Sequence, residues 1–161
     1  MEVLVALSVI TLGGLSVFAF LNQTLRSAKL SEDAIIVSNL AREGIELVRS
    51  MRDSGNVGFD GLSVGNWIID SDDNYSISVP ADSADIANCS NCRLYLNSQL
   101  YTHTPGGVTT KYKRMVTLSD PTPDHVICNG GSDCERVVTV RISRDGSDSV
   151  YTLVTYLTDW R

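Results

Sequence analysis

Four cysteines are the residues whose type and spacing first suggest chemistry. They fall in two close pairs, Cys89-x2-Cys92 and Cys128-x5-Cys134. The first pair has the spacing of a zinc knuckle or a redox CxxC, but the second does not match it. An even count arranged as local pairs reads more simply as disulfides outside the cytosol. Bridges 89–92 and 128–134 are the first choice among three connectivities, and crossed pairing stays open because a CxxC ring is small.

Other candidates are weaker. Asp70, Asp72, Asp73 and Asn74 set four oxygen side chains in five positions, short of a calcium loop with its Gly and distal Glu. A solvated turn is the simpler reading. Lys111, Lys113 and Arg114 form a basic cluster. In an alternating strand 111 and 113 share a face, which would suit an anion or a nucleic-acid phosphate. His103 and His125 fall in expected loops without a nucleophile motif and read as surface residues. No phosphate-binding loop, dinucleotide fingerprint or metalloprotease helix occurs. The chain reads as a non-enzyme with no cofactor and no metal.

The remaining candidate is Glu2, and it depends on the element that carries it. After Glu2 no charged residue occurs until Arg26. A helix over residues 3–21 would measure about 28 Å, close to the roughly 30 Å hydrocarbon core of a bilayer. A carboxylate at the tip of such a helix is costly unless partnered. A cleaved secretory signal would want a basic n-region and a small-residue cleavage site, which this stretch lacks. A plain membrane anchor is the bland alternative. Gly13-Gly14 interrupts the apolar run. The pair reads either as small-residue packing between helices or as a built-in weak turn.

From Asn22 the pattern becomes amphipathic. Val37, Leu40, Ala41, Gly44, Ile45, Val48 and Met51 recur at spacings of three and four, while Arg42, Glu46, Arg49 and Asp53 occupy the opposite side. No proline occurs before Pro80, so the spacing predicts one helix to about Asp53. Gly55 then offers a stop. Short strands are expected at 67–69, 75–79, 93–96 and 100–102. Longer ones are expected at 111–118, 136–143 and 150–158, with a turn at Asp145-Gly146. On 111–118 the alternation puts Tyr112, Arg114, Val116 and Leu118 on one side. The fold class is therefore α+β, a long N-terminal helix with a protruding apolar half and an antiparallel sheet of about four strands. Three regions follow: 1–21 apolar helix, 22–53 amphipathic helix on the head, and 54–161 β-rich head.

The chain has 161 residues and a formal net charge of −6. The head carries 13 acidic and 8 basic residues and supplies −5 of that charge, which speaks against general binding to phosphate backbones. Nucleic acid is therefore a disfavoured partner.

The start Met1-Glu-Val-Leu-Val-Ala-Leu-Ser-Val-Ile10 resembles the beginning of mature type IV pilins and type II secretion pseudopilins. The stretch Asn39-Leu-Ala-Arg-Glu-Gly-Ile-Glu-Leu-Val-Arg-Ser-Met-Arg-Asp53 and the ending Tyr156-Leu-Thr-Asp-Trp-Arg161 resemble a subgroup near minor pilins. The likeness covers the first ~53 residues well and the rest in style. In that family a short basic leader ending in Gly is removed, and about three further residues precede the glutamate. Neither precedes Met1 here.

The resemblance implies a filament subunit held in the cytoplasmic membrane before assembly and extracellular afterwards. Its partners would be other copies of itself, membrane lipid and the assembly machinery. It implies that Glu2 pairs with a neighbouring subunit's N-terminal amine, and that Gly13 and Gly14 lie in a zone that loosens on assembly. A minor pilin or pseudopilin priming a pilus or secretion system, and a membrane-anchored binding domain, are the competing functions. Arg26 and Lys29 follow the apolar run, so the positive-inside rule alone would keep that side in the cytoplasm. A removed basic leader would resolve the conflict.

Overall fold

The computed structural model describes residues 2–54, 64–70, 78–121 and 135–158. They form one long helix and a seven-stranded antiparallel sheet. Helix α1 (Glu2–Ser54) is followed by β1 (Gly65–Ile69), β2 (Ser78–Pro80), β3 (Arg93–Asn97), β4 (Leu100–Thr102), β5 (Val108–Ser119), β6 (Glu135–Arg144) and β7 (Val150–Thr158). The chain divides into two compact units, Met1–Ile36 and Val37–Arg161.

The first unit is helical throughout its described residues. Its large apolar side chains at 3–21 are 52–72 % exposed.

The second unit is built on β5. One edge of β5 pairs with β6 over 112–119, and its other edge is shared by β1 near 116–118 and β3 near 108–113. β2 pairs with β1, β4 with β3, and β7 with β6. The expected sheet of about four strands is therefore too small. Twelve residues of β5 give one edge room for two short strands, so every short strand finds a place in a single sheet.

Alternation along β5 and β6 fixes the inner face. Tyr112, Val116 and Leu118 of β5 and Val138, Val140 and Ile142 of β6 are buried. They share that unit with Leu40, Ala41, Ile45, Val48 and Met51, the apolar stripe of the last part of α1, also buried. A Cβ on Gly44 would lie 2.9 Å from Val140 Cγ1, so only glycine lets the helix backbone come this close to β6. The end of α1 is tied down by Arg52, whose Nη1 donates to the Thr158 carbonyl at 3.0 Å.

The outer face is covered as well, which the sequence pattern did not suggest. Residues 81–92 fold over it, and Ile86, Cys89, Cys92 and Met115 form a small buried cluster with Ile68 and Ala81 against it. Arg141 Nη2 donates to Thr117 Oγ1, Asn66 Oδ1 and the Ala84 carbonyl, and Lys113 Nζ donates to the Ala87 carbonyl at 2.7 Å.

Candidate assembly surface

Glu2 opens α1 and is exposed, as is every residue from 2 to 32. The helix is long and apolar enough to cross a membrane by length and composition, so its N-terminal stretch fits a membrane anchor or a signal sequence. Its few polar side chains turn back on the helix. Ser8 Oγ donates to the Val5 carbonyl at 2.7 Å, Thr11 Oγ1 to Ser8 at 3.0 Å and Ser16 Oγ to Gly13 at 2.8 Å. Further along, Asn22 Nδ2 donates to the Phe18 carbonyl and Thr24 Oγ1 to Phe20. These hydroxyl and amide donors need no water, so the segment suits an apolar surrounding, where an unmet donor is penalised. The helix continues through Gly13 and Gly14, and a Cβ at either would meet nothing within 4 Å.

Cys89 and Cys92 are joined in a disulfide with Cα atoms 5.4 Å apart. Bonded to each other, their sulfurs are not thiolate ligands for zinc. Asp82 holds the ring, its carboxylate accepting from the Ser90 hydroxyl and from the backbone N–H of Ser90 and Asn91. The Ser90 hydroxyl, followed by those N–H groups, keeps the Asp82 carboxyl below its ordinary range. Cys128, Cys134 and His125 lie outside the described residues.

The basic cluster does not assemble into a patch. Arg114 is 0 % exposed, Lys113 is spent on Ala87, and Lys111 lies 5.4 Å from the centre of the Tyr112 ring. Arg114 sits on the inner face because alternation puts it between Tyr112 and Val116. It is the hub of a buried ionic junction. Its Nη2 donates to the Ile69 carbonyl at 3.1 Å and lies 3.4 Å from Asp70 Oδ1. Its Nη1 is 3.0 Å from Glu43 Oε1 on α1, an ion-pair separation without hydrogen-bond alignment.

His103 completes the junction, and the surface role expected for it is wrong: it is 9 % exposed. Its backbone N–H donates to Asp70 Oδ2 at 2.7 Å, its Nδ1 lies 2.7 Å from Asp70 Oδ1, and its Nε2 lies 3.2 Å from the Arg114 carbonyl. The carboxylate and the carbonyl only accept, so each ring nitrogen faces an acceptor. Burial alone would raise the Asp70 pKa. The hydrogen bonds and charge of His103, with the charge of Arg114, outweigh it and hold the carboxyl below its ordinary value. Asp70 thus serves the junction; Asp72, Asp73 and Asn74 of the expected calcium turn lie outside the described residues.

Sequence reasoning missed this junction, although one sign of it was present. An arginine in an apolar alternating stripe needs buried anions. With both His103 nitrogens committed to Asp70 and a carbonyl, the group clamps α1, β1 and β5 together.

Comparison of the chain with protein-family models, with characterised proteins and with solved structures gave no match.

Proposed function

We propose that this chain is a structural subunit of an extracellular filament of the type IV pilus kind, assembled through its apolar N-terminal helix. The carrying observation is that apolar segment, exposed, with polar side chains bonded to its own backbone and one carboxylate at its tip. Burying so many exposed apolar side chains is strongly favourable, at about 25 cal/mol per Å², and a bilayer followed by the helices of other copies offers that burial in turn. A disulfide-stapled β unit suits an oxidising exterior. In this reading the chain rests in the cytoplasmic membrane, is drawn out by membrane assembly machinery, and exchanges lipid for neighbouring copies.

The test is assembly by the purified full chain. After slow detergent removal, electron microscopy should show uniform fibres whose mass is this chain. Particles that remain single, whether in lipid vesicles or in detergent, would overturn the filament reading in favour of a membrane-anchored binding domain.

A further inference from the structure

We propose that the outer edge of β7 is a docking site for an extended, uncharged strand of another protein, which adds to the sheet antiparallel to β7. The proposal concerns the β unit, goes beyond the filament reading and does not rest on it.

β7 closes one side of the sheet. Among the described residues it pairs with β6 and with no other strand. In an antiparallel strand every second residue turns both its N–H and its C=O away from its neighbour. The edge over Val150–Thr155 therefore presents a row of backbone groups that a further strand matches group for group. Sheet edges are ordinarily guarded by shortness, proline or charge. The opposite side of this sheet is guarded so: β2 and β4 have three residues each, and β2 ends in Pro80. β7 has nine residues with no proline, glycine or charge among them. The other two long strands, β5 and β6, both carry charged residues. The unguarded edge is thus confined to the one long strand that has a single neighbour.

The side chains beside this edge say what would fit it. The register puts Tyr151, Leu153 and Thr155 on the inner face, opposite Ile142, Val140 and Val138, and puts Val150, Val154 and Tyr156 on the outer face. Val150, Tyr151, Val154 and Tyr156 are 41–56 % exposed. The cover formed by 81–92 reaches Arg141 of β6 through the Ala84 carbonyl and leaves these side chains of β7 open. Apolar contact is therefore on offer both above and below the edge. A docked strand gains most from β-branched or aromatic side chains on both of its faces. A charge on it would find no opposite charge on β7.

A second copy also owns such a strand. Every pairing in this sheet is antiparallel, the more stable kind, and two identical strands paired in that sense are related by a two-fold axis. The buried stripes Leu40–Met51 of the two copies would then run in opposite directions, whereas copies anchored in one membrane enter it from the same side. The strand that fits is therefore one from a different protein, the mode of recognition in which backbone bonds give affinity and alternate side chains give specificity.

Peptide binding to the full chain in detergent tests the site. The probe is a fluorescent valine–threonine peptide as long as β7, β-branched at every position, with a lysine at each end for solubility. Anisotropy should show saturable binding. Methylating every second peptide nitrogen, on the edge that faces β7, should weaken binding about tenfold or more, and so should Val154→Lys in the chain. The melting temperature of Val154→Lys should stay that of the parent, and a peptide with glutamate for its central valine should prefer this variant to the parent. Hydrogen exchange at alternate residues of 150–155 should slow only when peptide is bound. Absence of saturable binding, or equal binding by the peptide methylated on either edge, overturns the proposal. So does slow exchange along this edge in the chain alone, which would mean that a second copy or another segment of this chain already covers it. The filament reading is judged separately, by assembly of the parent without peptide.

Discussion

Arg114 carries the largest single-residue consequence. Its guanidinium has no exposure and faces two carboxylates and a carbonyl. Arg114→Ala removes that charge and leaves the partly buried Asp70 with His103 as its remaining ionic partner. Removing one partner of a buried pair costs about 3–5 kcal/mol, and half-exposed Glu43 regains water, so we expect a loss of about 3 kcal/mol in urea unfolding. Asp70 adds a pH dependence. Its carboxyl in the folded protein binds a proton less readily than in the unfolded chain, where 3.8 is the ordinary value. The stability it confers is therefore complete above that value and is lost as pH falls through the lower folded pKa. Thermal melts of the parent should drop in that acid window, and Asp70→Asn should flatten the drop. A residual slope is expected, because the Asp82 carboxyl is also held low and acts with the same sign.

Helix and sheet meet where Gly44 faces Val140. Gly44→Ala improves helix propensity by about 1 kcal/mol, yet its Cβ would lie 2.9 and 3.2 Å from the two methyls of Val140. A β-branched neighbour in a packed strand has little room to turn. Overpacking at about 1–3 kcal/mol should win, so calorimetry should show a lower Tm. The variant with Val140→Ala as well should recover part of the loss, and no recovery would mean the clash is not the cause. The stapled segment 81–92 has its own expectation. Replacing Cys89 and Cys92 together by Ser should expose the Ile86–Met115 cluster. Protease should cut that segment first, while the far-ultraviolet signature of β5 and β6 persists, since their pairing does not depend on it.

For the whole molecule, the division into Met1–Ile36 and Val37–Arg161 sets the expectation for truncation. Deleting residues 1–25 removes all the exposed apolar side chains at 3–21 and leaves the buried stripe Leu40–Met51 intact. The product should be a soluble monomer by light scattering with its β signature retained. Aggregation with loss of that signature would mean the apolar segment belongs to the core of the head. Glu2→Gln in the full chain keeps size and hydrogen-bonding capacity and removes the charge. Membrane insertion and the melting of the β unit should be unchanged, whereas filament yield should fall, because a charge-assisted contact is lost.

Helical and strand segments were legible because their patterns are local. The three-and-four spacing from Leu40 to Met51 identified the face of α1 that is buried. Strict alternation located β5, β6 and β7 to within a few residues. The membrane-length apolar helix needed only composition and length. Sheet size was not legible, since whether β1 and β3 share an edge of β5 depends on strand order, which links residues 65–67, 93–96 and 108–118. Nor was the covering of the outer face, because a polar, disulfide-bearing loop shows no period that would point it at Met115. The junction of Glu43, Asp70, His103 and Arg114 lay furthest from view. Those residues are spread over 72 positions, and only Arg114, by its place in an apolar alternating stripe, hinted at burial. Only the tertiary structure brings these four side chains together around the buried Arg114, with Glu43 at the exposed rim, because burial and pairing are properties of the assembled layers and not of any segment.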